Sequence, residues 1–403
     1  MTLFQKPRPA DPTLLVVGVV GAGAMGSGIA QVAAAAGHRV ILGDANPAAV
    51  SKAMASIGKS LARDVEKGRI EPSTAEIISS RISDAGDLSL SFDRYAECGL
   101  IIEAVLEDLT VKRTLFAALE RVVTNDCILA TNTSSLSVAA IGGGCKNAER
   151  VIGIHFFNPA PVLPLVEIVP AITTSNYVTS EATALVASWK KTAVVASDTP
   201  GFIVNRIARP FYSESLRQLE EHIADAATID WAMRELGGFR MGPFELMDFI
   251  GNDVNYAVTT SVFDAFYQDS RYRPALTQRR LVEAGLFGRK SGRGYYDYRD
   301  GAEKPEPTRD ATLGQSIVDR TLAMLVNSAV DAVHMHVASP ADIETSMTKG
   351  VNYPKGLLAW GDQIGADVVL QRLETLRAEY GEERYRASPL LRQRVRDGRS
   401  LLE

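Results

Sequence analysis

The stretch Leu14-Leu-Val-Val-Gly-Val-Val-Gly21-Ala-Gly23-Ala-Met-Gly26 decides the fold of the first half of this chain. Its apolar run predicts a buried strand, and the alanine-rich run from Ile29 to Ala36 predicts a helix. The glycines between them have separate uses: Gly21 permits a tight turn, Gly23 lets backbone amides approach a pyrophosphate, and Gly26 lets the helix pack on the strand. The stretch therefore predicts a dinucleotide-binding turn at the start of a βα unit.

An acidic residue at the end of the next strand selects the dinucleotide. Asp44 lies eighteen residues past Gly26, where its carboxylate can accept hydrogen bonds from a ribose diol and repel a 2′-phosphate. We therefore predict NAD, rather than NADP, as the cofactor. A glycine-rich turn in some other α/β protein is the alternative. The predicted cofactor contacts are Gly21, Ala22, Gly23, Ala24, Met25, Gly26 and Asp44.

Short β-branched runs alternate with helical patterns as far as about Ser197, which favours a mostly parallel sheet flanked by helices. We predict a Rossmann-type α/β domain over residues 14–199. Beyond Pro200-Gly201, apolar residues recur at three- and four-residue spacing and predict an all-α region, in which Pro210 should kink or break the first helix. The predicted strands are Leu14–Val20, Arg39–Asp44, Leu100–Glu103, Cys127–Ala130, Val151–His155 and Ala193–Ser197.

The helical region contains an internal repeat. Residues 203–253 align with residues 317–367 without a gap, at a constant offset of 114, and roughly a quarter of the positions are identical. We therefore predict two all-α domains, at 200–298 and 312–400, that arose by duplication. Between them, residues 299–311 are rich in charge and proline, which predicts a solvated linker.

Two extended runs flank a proline-rich turn centred near Pro161. His155 and Glu167 lie six residues to either side of that proline, so an antiparallel pairing would place them opposite each other. The carboxylate would fix the imidazole tautomer, as a base that accepts an alcohol proton requires. A histidine in an apolar strand is also often structural, but Glu167 needs a partner if it is buried.

The composition excludes several classes of function. A net charge of −5 gives no general basic surface for nucleic acid. Cys98, Cys127 and Cys145 lack metal-ligand spacing, so we predict no metal and interpret them as reduced thiols of a cytoplasmic protein. Residues 1–13 resemble no targeting peptide, and the longest apolar stretch, 14–20, is far shorter than the roughly 20 residues of a membrane span. We expect neither export nor membrane insertion.

The chain resembles the 3-hydroxyacyl-CoA dehydrogenase family from about residue 14 to residue 298. This resemblance implies NAD-dependent oxidation of a 3-hydroxyacyl-CoA to the 3-oxoacyl-CoA, as in fatty acid β-oxidation. Some family members carry tandem C-terminal domains, which agrees with the repeat. The matching segments are Val17 to Asp44, Ile102-Glu-Ala-Val-Leu-Glu107-Asp with Lys112, Asn132-Thr-Ser134-Ser-Leu, His155-Phe-Phe-Asn158-Pro, Asp198-Thr-Pro-Gly-Phe-Ile-Val-Asn205-Arg, Met241-Gly-Pro-Phe-Glu-Leu and Gly288-Arg-Lys290-Ser-Gly-Arg-Gly-Tyr-Tyr.

The resemblance also implies roles for single residues. His155 would take the hydroxyl proton, and Glu167 would orient it. Ser134 and Asn205 would hold the oxygens of the substrate and stabilise their developing charge. As isolated residues, Glu107 and Lys112 could instead form a helix ion pair, and Asn205 could be a helix polar group. Further cofactor contacts implied by the family are Glu107, Lys112, Asn158 and Lys290.

Coenzyme A carries several phosphates, so a net-negative protein needs a local cluster of positive charge to bind it. Lys59, Arg63 and Lys67 recur at four-residue spacing and line one helix face, with Ser60 and Arg69 adjacent. Without the resemblance, such a stripe is usually a solvated helix face. The family implies coenzyme A contacts at Ser60, Lys67, Lys112 and Ser134.

The second helical copy has Asp319 where the first has Asn205. Because a carboxylate would repel an oxyanion, we predict that this copy is structural and covers the surface by which simpler members dimerise. An oligomer remains an alternative.

The segment Gly251 to Tyr267, with Asn352-Tyr-Pro-Lys-Gly in the repeat, is similar to 3-hydroxyadipyl-CoA dehydrogenases of phenylacetate catabolism. A dicarboxylic acyl tail would need a cation, and Arg240, Arg271 and Arg273 are the candidates. The alternatives are a short-chain 3-hydroxybutyryl-CoA dehydrogenase, a dehydrogenase of free hydroxyacids, and a non-catalytic member of the family. The three predicted units account for all 403 residues, so we expect no hydratase domain.

Overall fold

The computed structural model describes residues 11–403 and divides into two compact units, the first ending at Thr199 and the second beginning at Pro200. The expectation that residues 1–13 form no targeting segment falls almost entirely outside the described residues. Among residues 11–403, no helix combines the length and the apolar character needed to cross a membrane.

An eight-stranded sheet forms the centre of the first unit. Its strands are β1 (Val17–Val20), β2 (Val40–Gly43), β3 (Ile82–Asp84), β4 (Leu100–Glu103), β5 (Ile128–Thr131), β6 (Val151–Phe156), β7 (Leu165–Pro170) and β8 (Thr192–Val195). The spatial order is β3-β2-β1-β4-β5-β6-β7-β8. Strands β1 to β6 are parallel, β7 is antiparallel to β6, and β8 is parallel to β7. The first six strands have the Rossmann order, so the predicted fold class is confirmed.

The central strands are apolar because helices cover both faces of the sheet. Every residue of β1, β2, β4 and β5 is buried, which explains their continuous β-branched runs. Strand β3 was not predicted, because it has three residues and only Ile82 is buried. The helices of this unit are α1 (Ala24–Ala35), α2 (Pro47–Glu66), α3 (Pro72–Ser80), α4 (Leu109–Glu120), α5 (Val138–Gly142) and α6 (Asn176–Ser188).

The second unit is helical throughout its regular elements. Its α-helices are α7 (Val204–Ile207), α8 (Arg209–Glu220), α9 (Ala226–Trp231), α10 (Pro243–Ile250), α11 (Asn252–Ala265), α12 (Leu276–Glu283), α13 (Ala311–His334), α14 (Pro340–Gly350), α15 (Leu357–Ile364), α16 (Ala366–Tyr380) and α17 (Pro389–Asp397). The predicted break at Pro210 is confirmed: α7 ends at Ile207, and the proline occupies the first turn of α8, where its missing N–H costs nothing.

Matching contacts show that the helical domain is present twice. In the first copy the Asp230 carboxylate accepts hydrogen bonds from the backbone N–H groups of Phe244 and Glu245, at the start of α10. Exactly 114 residues later, the same two positions at the start of α15 donate to Glu344. Gly251 and Gly365, which precede α11 and α16, have φ angles of +105° and +102°. The duplication inferred from the sequence is therefore also a duplication of local geometry.

The two copies pack on each other through α8 of the first and α13 of the second. Gln218 on α8 donates to the hydroxyl of Thr321 on α13 at 3.1 Å, and both residues are buried. Between the copies, residues 302–310 contain no helix or strand and are almost all exposed, and α13 begins at Ala311.

Candidate active site

The glycine-rich turn joins β1 to α1 and is closely packed on one side. A Cβ atom on Gly21, whose φ is +105°, would lie 2.4 Å from the carbonyl oxygen of Ala104, and one on Gly26 would lie 1.7 Å from the carbonyl oxygen of Gly21. Neither position can accept a side chain. Gly23, at the N-terminus of α1, has no heavy atom within 4 Å of the place where its Cβ would be. This open backbone at a helix N-terminus is the cradle that a pyrophosphate requires, so the turn fits NAD.

Asp44 ties the end of β2 to this turn. Its Oδ2 accepts a hydrogen bond from the backbone N–H of Ala22 at 2.7 Å, and its Oδ1 accepts one from Asn46 at 2.9 Å. The carboxylate is therefore held beside the glycine turn, with acceptor capacity left for a ribose diol. The geometry agrees with the predicted preference for NAD.

A buried ionic cluster lies at the end of the neighbouring strand β4. The Lys112 ammonium, 1% exposed, is 2.5 Å from Oε1 of Glu103 and 3.2 Å from Oε2 of Glu107. The other oxygen of Glu103 accepts from the hydroxyl of Thr131 at 2.7 Å. Burial of a lysine is tolerated here because two carboxylates compensate its charge.

Glu107 in turn holds the loop that follows β5. Its Oε1 accepts hydrogen bonds from the Thr133 hydroxyl at 2.5 Å, the Ser134 backbone N–H at 3.1 Å and the Ser135 hydroxyl at 3.0 Å. Burial alone would raise the pKa of Glu107, but the Lys112 ammonium and the hydroxyl donors lower it below its usual value. Glu107 is therefore a carboxylate at neutral pH, and it fixes the backbone position of Ser134.

His155 and Glu167 face each other across the β6–β7 hairpin. They are direct partners in the antiparallel register, and Nδ1 of His155 lies 2.7 Å from Oε2 of Glu167. The imidazole residue is 5% exposed and Glu167 is fully buried. The pairing predicted from the spacing around Pro161 is confirmed. With Nδ1 held by the carboxylate, Nε2 is the ring atom that can exchange a proton with a substrate.

These groups share one edge of the sheet. The glycine turn, Glu107, Ser134 and His155 lie at or just after the carboxyl ends of β1, β4, β5 and β6, which are parallel. Ligands of open α/β sheets bind at this edge, next to the point where the strand order reverses. Here the order reverses between β1 and β4. The arrangement can bind a dinucleotide and place a base beside it.

Two family models match this chain. The model for the NAD-binding domain of 3-hydroxyacyl-CoA dehydrogenase covers residues 16–199, and the model for the C-terminal domain matches twice, at residues 201–298 and 317–401. The chain belongs to the 3-hydroxyacyl-CoA dehydrogenase family. The double match agrees with the repeat seen in the sequence and in the caps of α10 and α15.

Relatives in this family cover most of the chain. It is 40% identical to a 3-hydroxyadipyl-CoA dehydrogenase of Escherichia coli K12, over 94% of this chain and 97% of that protein. It is 41% identical to a 3-hydroxybutyryl-CoA dehydrogenase of Bradyrhizobium diazoefficiens, over 73% of this chain and 98% of the relative. A crystal structure of a 3-hydroxybutyryl-CoA dehydrogenase from Escherichia coli K12 superposes with a TM-score of 0.89 at 39% identity, covering 95% of this chain and 98% of that one.

As a family member, the protein is an oxidoreductase that uses NAD to oxidise the hydroxyl of a 3-hydroxyacyl-CoA.

Not all residues expected at its site lie in the first unit. Asn205, half-buried on α7, and Lys290 lie in the helical unit. The Lys290 ammonium is 2.6 Å from the Asp253 carboxylate and half-exposed. Asn158 is exposed at the start of the hairpin turn. Their contacts with cofactor or substrate stay predictions.

The basic stripe lies where the sequence places it. Lys59 and Arg63 are exposed on α2, Lys67 is exposed at its C-terminus, and Ser60 is half-buried between them. Arg69 differs, because its guanidinium pairs with Asp64 at 3.0 Å. The stripe is accessible to a phosphate, and its contact with coenzyme A stays a prediction.

Lys112 is buried between Glu103 and Glu107, so its geometry supports a role through Glu107. Its contacts with NAD and coenzyme A stay predictions. One further expectation needs correction. Arg271 does not offer a cation to an acyl tail, because its guanidinium is 3.0 Å from both Asp269 and Asp331 and is 14% exposed. Arg240 and Arg273 are exposed.

The sequence reasoning missed Glu103 and Asn132. Glu103 lies at the end of an apolar strand and stabilises Lys112. A carboxylate in an apolar strand is seldom buried without a partner, so the sequence did carry a signal for this residue. The side-chain oxygen of Asn132 accepts from the backbone N–H of Phe156 at 2.8 Å, which joins the loop after β5 to the histidine strand. No spacing in the sequence indicates that contact.

Proposed function

We propose that this dehydrogenase oxidises (3S)-3-hydroxyacyl-CoA substrates with a dicarboxylic acyl chain, such as 3-hydroxyadipyl-CoA, with His155 as the general base. The observation that carries the catalytic part is the buried hydrogen bond between His155 and Glu167. A carboxylate in that position orients the imidazole and stabilises the imidazolium that forms when it accepts a proton.

The protein groups divide the work as follows. Nε2 of His155 accepts the proton of the 3-hydroxyl group, and Glu167 holds Nδ1 throughout. The hydroxyl of Ser134 and the side-chain amide of Asn205 donate hydrogen bonds to substrate oxygens and stabilise the charge that develops on them. The Glu107 carboxylate accepts a hydrogen bond from the backbone N–H of Ser134 and so keeps Ser134 in place. When bound, NAD supplies the hydride acceptor.

Other residues bind the two large ligands. The turn from Gly21 to Gly26 receives the pyrophosphate of NAD, and Asp44 receives a ribose diol. The further proposed NAD contacts are Glu107, Lys112, Asn158 and Lys290. For coenzyme A, the exposed stripe of Lys59, Arg63 and Lys67, with Ser60, offers positive charge to the phosphates. The glycine turn and Asp44 are assigned from the sequence motif, Lys59 and Arg63 from their spacing on α2, and the other residues from the family resemblance.

The full-length relative named 3-hydroxyadipyl-CoA dehydrogenase supports the dicarboxylic substrate, because it covers both helical copies. A pathway of aromatic-acid breakdown such as phenylacetate catabolism would supply that compound. The second candidate is 3-hydroxybutyryl-CoA, which is favoured by the name of the superposed Escherichia coli structure. Rates of NADH formation on both thioesters decide between them: a strong preference for the uncharged chain would contradict the dicarboxylic proposal.

The role of His155 is tested with His155→Gln. We expect turnover to fall by about 10²- to 10⁴-fold, the usual contribution of a positioned base, while NAD binding is retained. The matched control is His334→Gln, which changes an exposed histidine at the end of α13 and should leave turnover unchanged. Near-normal activity of His155→Gln would remove the proposed mechanism.

We also propose that the enzyme works in the cytoplasm and that its second helical copy replaces a dimer contact. Cys98, Cys127 and Cys145 all lie within the described residues and form no disulfide, as a reducing compartment requires. The α8 face that α13 covers is buried, which supports a monomer. Light scattering on the full chain tests this: a stable dimer would contradict it.

A further inference from the structure

One buried arginine in the helical unit differs from all the others in the described part of the chain. The buried arginines there are Arg150, Arg206, Arg209, Arg320, Arg384 and Arg394. Five of them have a carboxylate within ion-pair distance. Among residues 11–403, Arg209 has none, although it is only 4% exposed. An isolated buried charge is strongly unfavourable. Arg209 therefore needs an anionic partner that the fold itself does not supply.

The contacts of Arg209 leave its charge uncompensated. Its Nη1 donates to the hydroxyl oxygen of Thr259 at 3.0 Å, and its guanidinium carbon lies 4.9 Å from the centre of the Tyr212 ring. Its Nε is buried without a hydrogen-bond partner in the described structure. Burial lowers the pKa of this guanidinium, and the charges that oppose the effect are phenol groups, Tyr212 and Tyr353.

Two hydroxyl groups, one on α8 and one packed against it, also lack hydrogen-bond partners. The side-chain oxygens of Ser213 and Tyr353 are buried without a hydrogen-bond partner among the described residues. Ser213 follows Arg209 by one turn of α8 and lies on the same helix face. Tyr353, from the second copy, packs against the same helix, because its ring centre lies 5.7 Å from that of Phe211, two residues after Arg209 on α8. A cation without a carboxylate partner and two hydroxyl groups without hydrogen-bond partners are groups that can bind a carboxylate.

We propose that Arg209, with the hydroxyls of Ser213 and Tyr353, binds the terminal carboxylate of a dicarboxylic acyl chain and thereby determines the substrate preference of the enzyme. This inference rests on the proposed function for its substrate class. Arg209 replaces Arg271 as the candidate cation for the acyl tail, because the charge of Arg271 is already paired and that of Arg209 is not.

The position of Arg209 along the chain fits the length of such a substrate. Asn205, the proposed donor to a substrate oxygen, precedes Arg209 by four residues, and Ala208 between α7 and α8 keeps a helical backbone conformation. One helical turn advances about 5.4 Å. The terminal carboxyl group of a six-carbon diacid is three carbons beyond the reacting carbon 3, a distance of the same order. A four-carbon acyl chain has no group at that place.

The second helical copy gains a function from this arrangement. It has Asp319 in place of Asn205, but it packs Tyr353 against α8, the helix that carries Arg209. Tyr353 is fixed by aromatic contacts, with its ring centre 5.7 Å from that of Phe211 and 5.0 Å from that of Phe239. The duplicated domain therefore helps to select the substrate without taking part in the chemistry.

The test compares two substrates of equal length. 3-Hydroxyadipyl-CoA and 3-hydroxyhexanoyl-CoA have the same number of acyl carbons, and only the first ends in a carboxylate. We expect wild type to prefer the dicarboxylic thioester. In Arg209→Met, kcat/KM on that substrate should fall by about 10²-fold or more, mainly through KM, because the carboxylate loses its charged partner. On the hexanoyl thioester it should stay within a few-fold of wild type or rise.

Tyr353→Phe keeps the test decisive if Arg209→Met does not fold. It removes one hydroxyl group and should reduce kcat/KM about tenfold on the dicarboxylic thioester alone. Equal losses on both substrates, in either variant, would overturn the assignment of Arg209. So would an Arg209→Met enzyme that keeps the wild-type preference. A wild type that is active but prefers the hexanoyl chain would instead refute the dicarboxylic substrate itself.

Discussion

The two copies of the helical domain keep the same packing groups and differ in the groups proposed to meet the substrate. Arg206 and Arg320 occupy equivalent positions, and each reaches into the other copy, Arg206 to Asp331 at 3.3 Å and Arg320 to Glu214 at 2.7 Å. The polar positions beside them have diverged. Asn205 corresponds to Asp319, and Arg209 corresponds to Ala323.

This difference shows which constraints survived duplication. Asp319 lies at a partly exposed position and pairs with Arg372 at 2.7 Å, so its charge is compensated within its own copy. Ala323 is fully buried, and nothing there requires a cation. The second copy has therefore kept the interactions that hold the pair of domains together, and it has local packing and ion pairs where the first copy has the groups proposed to meet the substrate.

The largest expected effect is on the contact between the copies. Glu214 is fully buried and accepts from Arg320 at 2.7 Å, Arg384 at 3.0 Å and the Tyr385 hydroxyl at 2.8 Å. Glu214→Gln would leave two buried guanidinium groups without this carboxylate. We expect the free energy of unfolding to fall by about 3–5 kcal/mol, measured by denaturant titration of the full chain. A loss below 1 kcal/mol would show that the copies do not depend on this charge.

The pH dependence of stability gives a control for that variant. Burial alone would raise the pKa of Glu214, but Arg384 and Arg320 lower it below its usual value. A carboxyl group with a lowered pKa stabilises the fold above its unfolded pKa, and this contribution disappears as the pH falls through the folded pKa. The difference between wild type and Glu214→Gln should therefore narrow on acidification below about pH 4.5. A constant difference would assign the loss to packing instead.

The next largest effect is expected when the residues that distinguish the two copies are exchanged. Asn205→Asp gives the first copy the residue of the second, and kcat should fall by about 10²- to 10³-fold because the proposed donor to the developing oxyanion becomes a repelling charge. Asp319→Asn is the reciprocal control, and steady-state kinetics should find it equal to wild type. The comparison fails if both variants lose the same activity.

The smallest expected effect concerns the ion pair between Asp319 and Arg372 in the second copy. Arg372→Met removes the partner of Asp319 at a site where both side chains are 29% exposed. Partly exposed ion pairs contribute little, so thermal or denaturant unfolding should change by less than about 1 kcal/mol. A loss as large as that of Glu214→Gln would mean that the second copy depends on its own diverged residue.

The sequence predicted those parts of the fold that follow from local periodicity. Continuous apolar runs located all six predicted strands to within three residues, and five of these strands are buried throughout. The sixth, β8, is only partly buried. The hairpin was predictable from the symmetric spacing of His155 and Glu167 around a turn, and the repeat from a constant offset. Strand β3 was missed because a three-residue edge strand with one buried side chain carries no such pattern.

The candidate site was predictable only where a residue's role is local. The sequence marks Gly21, Gly26 and Asp44, but it does not show which charged side chains meet across the fold. It therefore offered Arg240, Arg271 and Arg273 as cations for the acyl tail, although Asp331 neutralises Arg271 from sixty residues away, and it did not single out Arg209. The signal for Arg209 would have been a second cation, after Arg206, in the mostly apolar run from Phe202 to Phe211. Whether such a cation has a carboxylate partner is a tertiary property.

The double role of Asp44 sets a condition for engineering coenzyme use. The carboxylate proposed to bind the ribose diol also accepts a hydrogen bond from the backbone N–H of Ala22 and so braces the glycine turn. Removing it to admit a 2′-phosphate would take away that brace and leave the amide without its acceptor. A redesign toward NADPH must therefore supply a new acceptor for Ala22 along with any new cation, or it will lose affinity for both coenzymes.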